Sequence, residues 1–304
     1  MVPTTTVTRQ DRLKAANISL QGLSVGDAFG EQFFINPDEV ETRIHDRQLP
    51  PAPWCVTDDT IMALSVVDVL AQREWIDCDL LAALFGKRYR WDPARGYGGT
   101  AHDILSRLAS GGAWKELSAG VFFGSGSMGN GGAMRAAPIG AYFCDNFQRA
   151  AEEAKRSGAV THAHPEGQAG AIAVAVAAAW VASGGVETDR MFDAVLSHTP
   201  SGETRTGIVK ARALSGAVDV CAAVAALGNG SRVLSQDTVP FALWCAAQQL
   251  ESYEEALWLT VSGLGDRDTT CAIVGGIVSL GANCAIPPQW LLSRERLSVI
   301  AQGE

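Results

Sequence analysis

Apolar residues recur at intervals of three and four along most of the chain, the spacing that places them on one face of an α-helix. No alternation of apolar and polar residues, the mark of a β-strand, continues for more than four residues. The pattern therefore predicts an all-α protein. The predicted helices cover residues 11–29, 61–73, 79–90, 99–110, 134–144, 147–158, 166–183, 188–198, 205–226, 239–249, 253–262 and 270–282.

The segments between these helices are rich in Gly, Pro or Asp, most clearly at residues 34–55, 91–98 and 124–132. Such residues favour turns and loops. No low-complexity linker divides the 304-residue chain, and 47% of its residues are hydrophobic, which is enough for a large buried core. We therefore predict one compact domain over residues 1–304, with residues 1–10 as a flexible tail.

Residues 169–183 form the most apolar helical segment, with the sequence AGAIAVAVAAAWVAS. This segment is shorter than the ~20 apolar residues that cross a bilayer. It is also mostly alanine, which is weakly hydrophobic. We predict a buried central helix and no association with a membrane.

Composition narrows the setting in which the protein works. A net charge of −9 argues against a general nucleic-acid-binding surface. The seven cysteines include no C-x-x-C pair, so neither a disulfide framework nor a zinc site is indicated. Residues 1–11 are polar and lack the apolar core of a signal peptide. A cytoplasmic protein with reduced thiols is expected.

Two short acidic clusters, far apart in the chain, carry the most informative chemistry: residues 57–60, TDDT, and residues 265–270, GDRDTT. Each cluster directly precedes a predicted helix, so carboxylates and hydroxyls gather at helix N-termini. Oxygen donors of this kind suit hard divalent cations. Helix capping is the alternative explanation, since Asp and Thr are good N-caps. One cap residue per helix satisfies that need, and both clusters exceed it.

A glycine-rich segment, GSGSMGNGGAMR, covers residues 124–135. Glycines allow backbone N–H groups to approach a phosphate, and Arg135 is a candidate for a bidentate phosphate contact. The segment lacks the Gly-Lys-Ser/Thr ending of a Walker loop. Turn formation alone also accounts for the glycines.

Two further segments contain candidate binding residues. His162 and His164 are two residues apart, but no other His or Cys follows at zinc-binding spacing, so a hydrogen-bonding histidine near a pocket is favoured over a zinc site. Tyr97, in the loop at 91–98, has a ring that can stack on a base or ribose. Packing within the loop explains Tyr97 equally well.

Taken together and in order, these motifs resemble those of the ADP-ribosylglycohydrolase family, which includes the dinitrogenase reductase-activating glycohydrolases and the ADP-ribosyl-serine hydrolases. The resemblance runs from about residue 20 to residue 290. Each motif is weak alone, and their order is specific. The motifs are GLSVGDAFG at 22–30, TDDT at 57–60, RGYG at 95–98, GNGGAMR at 129–135, THAHP at 161–165, GDRDT at 265–269 and IPPQW at 286–290.

The resemblance implies an all-α orthogonal bundle that binds two Mg²⁺ or Mn²⁺ ions and hydrolyses the glycosidic bond between ADP-ribose and an acceptor. The acceptor would belong to a protein, a nucleic acid or a small molecule, and ADP-ribose would be released. Asp58 or Asp59 would guide the attacking water. The implied metal ligands are Thr57, Asp58, Asp59, Asp266, Asp268 and Thr269. The implied ligand-binding residues are Gly129, Asn130, Gly131, Gly132, Met134 and Arg135, with Tyr97 and His162 nearby.

The chain departs from the family pattern at one position. Many members carry a Glu four residues after the last glycine of the opening motif, and here that residue is Phe34. The nearest acid is Glu31, directly after Gly30. We predict that the Glu31 carboxylate faces the metal site, where it either gates the anomeric carbon or acts as a general base; an exposed Glu after a turn is the alternative. We also predict that the run 33–35 packs as a hydrophobic wall.

Two other functions remain compatible with the same residues. The chain can be a non-catalytic ADP-ribose-binding relative, because the usual Glu is missing. The acidic clusters alone would also serve a two-metal phosphohydrolase that acts on nucleotide diphosphates. The products of the reaction distinguish these functions.

Overall fold

The computed structural model describes residues 7–298 except 215 and 217. This part of the chain is all helical apart from loops and contains no β-strand, which confirms the predicted fold class. Its α-helices are α1 (Arg9–Glu31), α2 (Pro37–His45), α3 (Asp58–Arg73), α4 (Cys78–Trp91), α5 (Gly99–Ala109), α6 (Trp114–Gly124), α7 (Ala137–Tyr142), α8 (Phe147–Ala159), α9 (Pro165–Ala182), α10 (Thr188–His198), α11 (Glu203–Ala213), α12 (Val220–Leu227), α13 (Ser235–Gln248), α14 (Tyr253–Ser262), α15 (Arg267–Val278) and α16 (Pro288–Ser293), with a 3₁₀ turn at Asn130–Gly132.

Helix α9 is the predicted central helix. Every residue from 169 to 181 is buried. Helices α7, α8, α10, α13 and α15 all pack against it. Alanine side chains are small, so these neighbours can pack closely against α9 from several directions. A helix that is apolar on all sides is stable when it is buried in this way. Among the described residues, no helix combines the length and the apolar character needed to cross a membrane.

Three glycines on α1 bring it into backbone contact with α15. Gly22, Gly26 and Gly30 follow one another at four-residue spacing, so they lie on one face of the helix. A Cβ atom at Gly26 would lie 2.1 Å from the carbonyl oxygen of Cys271, and one at Gly30 would lie 2.2 Å from that of Arg267. Any larger side chain would separate the helices. This contact places the last turns of α1 beside the start of α15.

One predicted helix is wrong. The run at 205–226 is divided into α11 and α12. Gly216 lies between them with φ 125°, a conformation that glycine adopts readily. Asp219 then begins α12, since its carboxylate accepts a hydrogen bond of 2.9 Å from the N–H of Ala222. Apolar spacing continues across the break, so periodicity alone does not reveal it.

Three helices were not predicted, namely α2, α6 and α16. Helix α2 lies within the predicted loop at 34–55, where Asn36 caps it by accepting a hydrogen bond of 3.0 Å from the N–H of Asp38. Pro37 occupies its first position, a common start signal. Helix α7 is shorter than the predicted run at 134–144, and Pro138 is its second residue.

The predicted flexible tail also needs correction. Arg9 and Gln10 belong to α1. Thr8 caps this helix, accepting a hydrogen bond of 3.2 Å from the N–H of Asp11, while the Asp11 carboxylate accepts one from the N–H of Thr8. Residues 1–6 of the tail lie outside the described part of the chain.

Candidate active site

The first acidic cluster begins α3. Thr57 is the N-cap residue, and its hydroxyl accepts a hydrogen bond from the N–H of Asp59. The cap is therefore complete without either carboxylate. Asp58 and Asp59 follow in the first turn, where the positive end of the helix dipole favours negative charge. The carboxylates of Asp58 and Asp59 are therefore not needed for capping and can bind a ligand.

Asp27, on α1, holds this cluster in place. Its carboxylate is fully buried and accepts hydrogen bonds from the backbone N–H and hydroxyl groups of Thr57 and Thr60, at 2.9 and 2.8 Å for Thr57. Burial raises the pKa of Asp27 to about 6, although these hydrogen bonds act in the opposite direction. Asp27 was not predicted as a site residue. The available signal was an acid among glycines and apolar residues in a predicted helix.

The second acidic cluster begins α15 and meets the first. The hydroxyl of Thr269 donates a hydrogen bond of 3.4 Å to Oδ2 of Asp59, and the hydroxyl oxygen of Thr57 lies 3.0 Å from the same atom. The other oxygen of Asp59, Oδ1, is buried without a hydrogen-bond partner. Residues more than two hundred positions apart thus share one carboxylate.

The clusters concentrate negative charge in a buried place. Burial raises the pKa of Asp58 to about 7, and the nearby Asp27 carboxylate adds to the effect. Burial likewise raises the pKa of Asp59 well above the ordinary range, and the Asp268 carboxylate adds to the rise. Burial also raises the pKa of Asp268 well above the ordinary range, and there Asp266 adds to the rise. The ionised forms of these carboxylates are therefore unfavourable unless a positive charge lies nearby.

Divalent cations fit this donor set. Carboxylate and hydroxyl oxygens are the ligands that Mg²⁺ and Mn²⁺ prefer. The unpartnered Oδ1 of Asp59 is a buried acceptor with no protein donor, as a metal ligand would be. Among the described residues, no three His, Cys, Asp or Glu side chains already converge at metal-binding spacing. The fit thus rests on donor chemistry and charge.

The glycine loop at residues 124–135 is joined to the second cluster. The side-chain amide of Asn130 donates hydrogen bonds of 2.6 Å to Oδ2 of Asp266 and 3.0 Å to the hydroxyl of Thr238. Gly129 forms an isolated bridge with Leu234. The loop is therefore held between α13 and the start of α15.

A pocket of about 790 Å³ opens between the glycine loop and the acidic clusters. Of the predicted site residues, those lining it are Asp58, Gly129, Asn130, Gly131, Met134, His162, Asp266, Asp268 and Thr269. Glu31, Thr57, Asp59, Tyr97, Gly132 and Arg135 are not among the lining residues. The pocket thus brings together parts of both clusters and of the loop.

The predicted phosphate contact of Arg135 is not compatible with where the structure places this side chain. Arg135 is fully buried, and its guanidinium lies 4.8 Å from the ring centroid of Phe85. It donates hydrogen bonds to the carbonyl oxygens of Gly131, at 2.6 Å, and Ser157, at 2.8 Å, and to the hydroxyl of Thr161. Arg135 therefore stabilises the glycine loop from the buried side, through its hydrogen bond to Gly131.

Tyr97 is not among the residues that line the pocket. Its buried ring packs edge-on against Tyr89, at 5.3 Å between centroids, and against His102, at 5.8 Å. The ring therefore packs against α4 and α5 rather than within its own loop, and its stacking on a base or ribose stays a prediction. Its neighbours Gly96 and Gly98 line the pocket instead.

Sequence reasoning did not identify several residues on the rim. Phe122 and Val233 line the pocket, are more than half exposed, and have φ of 53° and 55°. Bulky residues rarely adopt positive φ, and such strain is frequent at ligand sites. Arg232 is the one Arg or Lys among the described lining residues. An aromatic pair directly before a glycine loop was the available signal for Phe122.

These features define a class: an all-helical protein whose oxygen-rich site, at the starts of two helices, adjoins a glycine-lined pocket. The chain belongs to the ADP-ribosylglycohydrolase family, whose model matches residues 5–302. ADP-ribosylhydrolase ARH3 of Homo sapiens is 28% identical over 333 residues, covering 93% of this chain and 91% of the relative. An uncharacterized protein of Archaeoglobus fulgidus is 30% identical over 282 residues, covering 89% and 88%.

The fold agrees with this membership. A solved structure of an ADP-ribosylglycohydrolase-related protein complex superposes with a TM-score of 0.65. The two sequences are 23% identical, and the match covers 97% of this chain and 96% of that chain. The helical arrangement is thus shared across nearly the full length.

Proposed function

We propose that this protein hydrolyses the glycosidic bond between ADP-ribose and an acceptor, and releases ADP-ribose. The observation that carries the proposal is the joining of three motifs at one pocket. Thr269 bonds to Asp59, which links the two acidic clusters, and Asn130 bonds to Asp266, which links the glycine loop to them. Family membership supports the same reaction.

The residues divide into a metal-binding part and a substrate-binding part. Two Mg²⁺ or Mn²⁺ ions would be held by Thr57, Asp58, Asp59, Asp266, Asp268 and Thr269. When bound, such ions supply electrostatic stabilisation and activate water. Asp27 orients Thr57 and Thr60 beneath these ligands, as a supporting carboxylate commonly does.

The substrate is placed along the glycine loop. Gly129, Asn130 and Gly131 line the pocket, and the lack of side chains at the two glycines leaves room for a diphosphate to approach the loop closely. Arg232 supplies the positive charge that Arg135 cannot. Phe122 offers an exposed ring on which a base can stack. This arrangement leaves the ribose and its glycosidic bond near Asp58 and Asp268.

Substitution of single ligands tests the reaction. Asp58→Ala and Asp268→Ala should each abolish turnover and strongly weaken metal binding, because each removes a carboxylate that lines the pocket. Asp103→Ala, at an exposed ion pair on α5, is the matched control and should remain active. Full activity of the double variant Asp58→Ala/Asp268→Ala in EDTA would contradict the proposal.

Product analysis separates this function from its alternatives. Arginine-, serine- and nucleobase-linked ADP-ribose should be supplied in turn, and free ADP-ribose is the expected product. AMP with ribose phosphate would instead identify a phosphohydrolase. Binding of ADP-ribose without release from any substrate would identify a non-catalytic relative.

A further inference from the structure

A buried chain of hydrogen bonds leads from Arg135 to the pocket. Nη2 of Arg135 donates to the hydroxyl oxygen of Thr161 at 2.8 Å. The same oxygen lies 2.7 Å from Nδ1 of His162. Arg135 is fully buried and Thr161 is 4% exposed, so each hydrogen of this chain needs a protein partner.

The direction of the second hydrogen bond follows from the donors available. Arginine only donates, so the Thr161 oxygen accepts from Arg135 and keeps its own hydrogen. Nδ1 of His162 is the acceptor that the structure provides for this hydrogen. If Nδ1 carried a proton instead, the buried hydroxyl hydrogen of Thr161 would lose that acceptor, at a cost of about 1–3 kcal/mol. The hydroxyl therefore donates to Nδ1.

His162 is neutral in this environment. Burial, together with the positive charge of Arg135, lowers the pKa of its imidazole to about 3. A neutral imidazole carries one proton. Since Nδ1 accepts, that proton is on Nε2.

The Nε2 edge of the ring lies against the glycine loop. A Cβ atom at Gly129 would be 3.0 Å from Nε2, and one at Gly131 would be 2.9 Å from the adjacent Cε1. His162, Gly129 and Gly131 all line the pocket. The absence of side chains at these glycines makes room for the imidazole as well as for a ligand.

We propose that Arg135 and Thr161 are positioning residues that hold His162 as the Nε2–H tautomer, so that it donates a hydrogen bond to a ligand oxygen beside Gly129 and Gly131. A phosphate oxygen or ribose hydroxyl of a nucleoside diphosphate sugar provides such an acceptor. The identity of the ligand rests on the proposed function. The tautomer does not.

Nitrogen NMR of the full-length protein, labelled with ¹⁵N at histidine, tests the tautomer at neutral pH without any ligand. The wild type should show His162 protonated at Nε2 and unprotonated at Nδ1. Thr161→Val keeps the side-chain shape but removes the hydroxyl, so a form protonated at Nδ1 should appear. Thr161→Ser restores the hydroxyl and should restore the wild-type signals. A wild-type ring protonated at Nδ1 overturns the proposal.

Titration with ADP-ribose tests the consequence. Thr161→Val should weaken binding about tenfold, the effect of losing one well-placed hydrogen bond, and Thr161→Ser should bind as the wild type does. An unchanged tautomer together with unchanged affinity in Thr161→Val overturns the positioning role. Absence of ADP-ribose binding in the wild type would instead contradict the proposed function, while the tautomer result stands by itself. Circular dichroism confirms that both variants are folded.

Discussion

Glu31 lies at the last position of α1, one turn beyond Asp27, and its side chain is half-buried. Burial raises the pKa of its carboxylate, and the Asp27 and Asp266 carboxylates add to the rise, while Arg267 opposes it. Glu31 is thus an acid in the electrostatic neighbourhood of both clusters. That it acts as a general base stays a prediction.

Phe34 does not form the buried wall that was predicted for residues 33–35. Phe33 is fully buried, but Phe34 is 47% exposed. The guanidinium of Arg267 lies 4.4 Å from the Phe34 ring centroid and donates to the carbonyl oxygen of Phe33. Phe34 therefore packs over the guanidinium of Arg267, beside the second cluster.

Glu31→Gln should lower kcat by about 10²–10⁴-fold, the usual contribution of a general base. Binding of Mn²⁺ and ADP-ribose should persist, because the amide keeps the shape of the side chain. Steady-state kinetics on the true substrate and calorimetric titrations measure these effects. Glu41→Gln, on the exposed side of α2, is the control. A wild-type kcat for Glu31→Gln would show that Glu31 is not the general base, so that the metals and the aspartates would have to activate the water.

At the scale of elements, α11 begins without a cap of its own. Gly202 precedes it and offers no side chain. Glu166, in the first turn of α9, accepts hydrogen bonds from the N–H of Glu203 at 2.7 Å and from the N–H and hydroxyl of Thr204 at 2.8 and 2.6 Å. One carboxylate thus connects the starts of two helices.

This connection predicts a pH-dependent loss of stability. Burial raises the pKa of Glu166, but the hydrogen bonds from Thr204 and Glu203 lower it overall. The folded protein therefore binds this proton less readily than the unfolded chain does. Its stabilising contribution is present above the unfolded pKa of about 4.3 and is lost as the pH falls through the folded pKa.

Glu166→Gln should reduce the free energy of unfolding by about 1 kcal/mol near pH 7, the typical effect of a helix cap. The difference from the wild type should shrink below about pH 4, where the wild-type carboxylate is also protonated. Urea unfolding at several pH values measures this. Glu251→Gln, at an exposed turn, is the control and should change neither the free energy of unfolding nor its dependence on pH. A difference that stays constant with pH would rule out the charge as its cause.

At the scale of the whole molecule, the buried negative charge opposes folding, and cations bound beside it would offset this effect. The chain has a net charge of −9, and the carboxylates of Asp27, Asp58, Asp59 and Asp268 are enclosed together. Ligands that bind only the folded state increase its stability by mass action. Metal binding at the proposed site would therefore also stabilise the folded protein.

Mn²⁺ at about a hundredfold excess over its Kd should raise the Tm by about 5 °C, and EDTA should reverse the rise. Asp59→Asn removes one buried charge, so its Tm in EDTA should exceed that of the wild type, while the response to Mn²⁺ should largely disappear. Differential scanning fluorimetry measures both. A full response to Mn²⁺ in Asp59→Asn would show that Asp59 is not a ligand.

Local patterns in the sequence determined the helical class and most of the helices. Apolar spacing is set within a few turns, so runs such as 188–198 and 253–262 agree with α10 and α14. The two acidic clusters were also found at the starts of helices, since Thr57 caps α3 and Asp266 precedes α15. The boundary between α11 and α12 was not found, because it depends on Gly216 and on the cap residue Asp219 while the apolar spacing continues across it.

Only the tertiary structure decided which side chains share the pocket. Asp27 reaches the first cluster because α1 packs against α3 as well as against α15, and this packing is not encoded in any short segment. Arg135 belongs to a recognisable glycine motif, yet its guanidinium lies in the core, where it donates hydrogen bonds to Ser157 and Thr161. The direction of a long side chain depends on acceptors brought near by folding. The sequence therefore determined the chemistry available to this protein, and the packing of its helices determined which groups can act together.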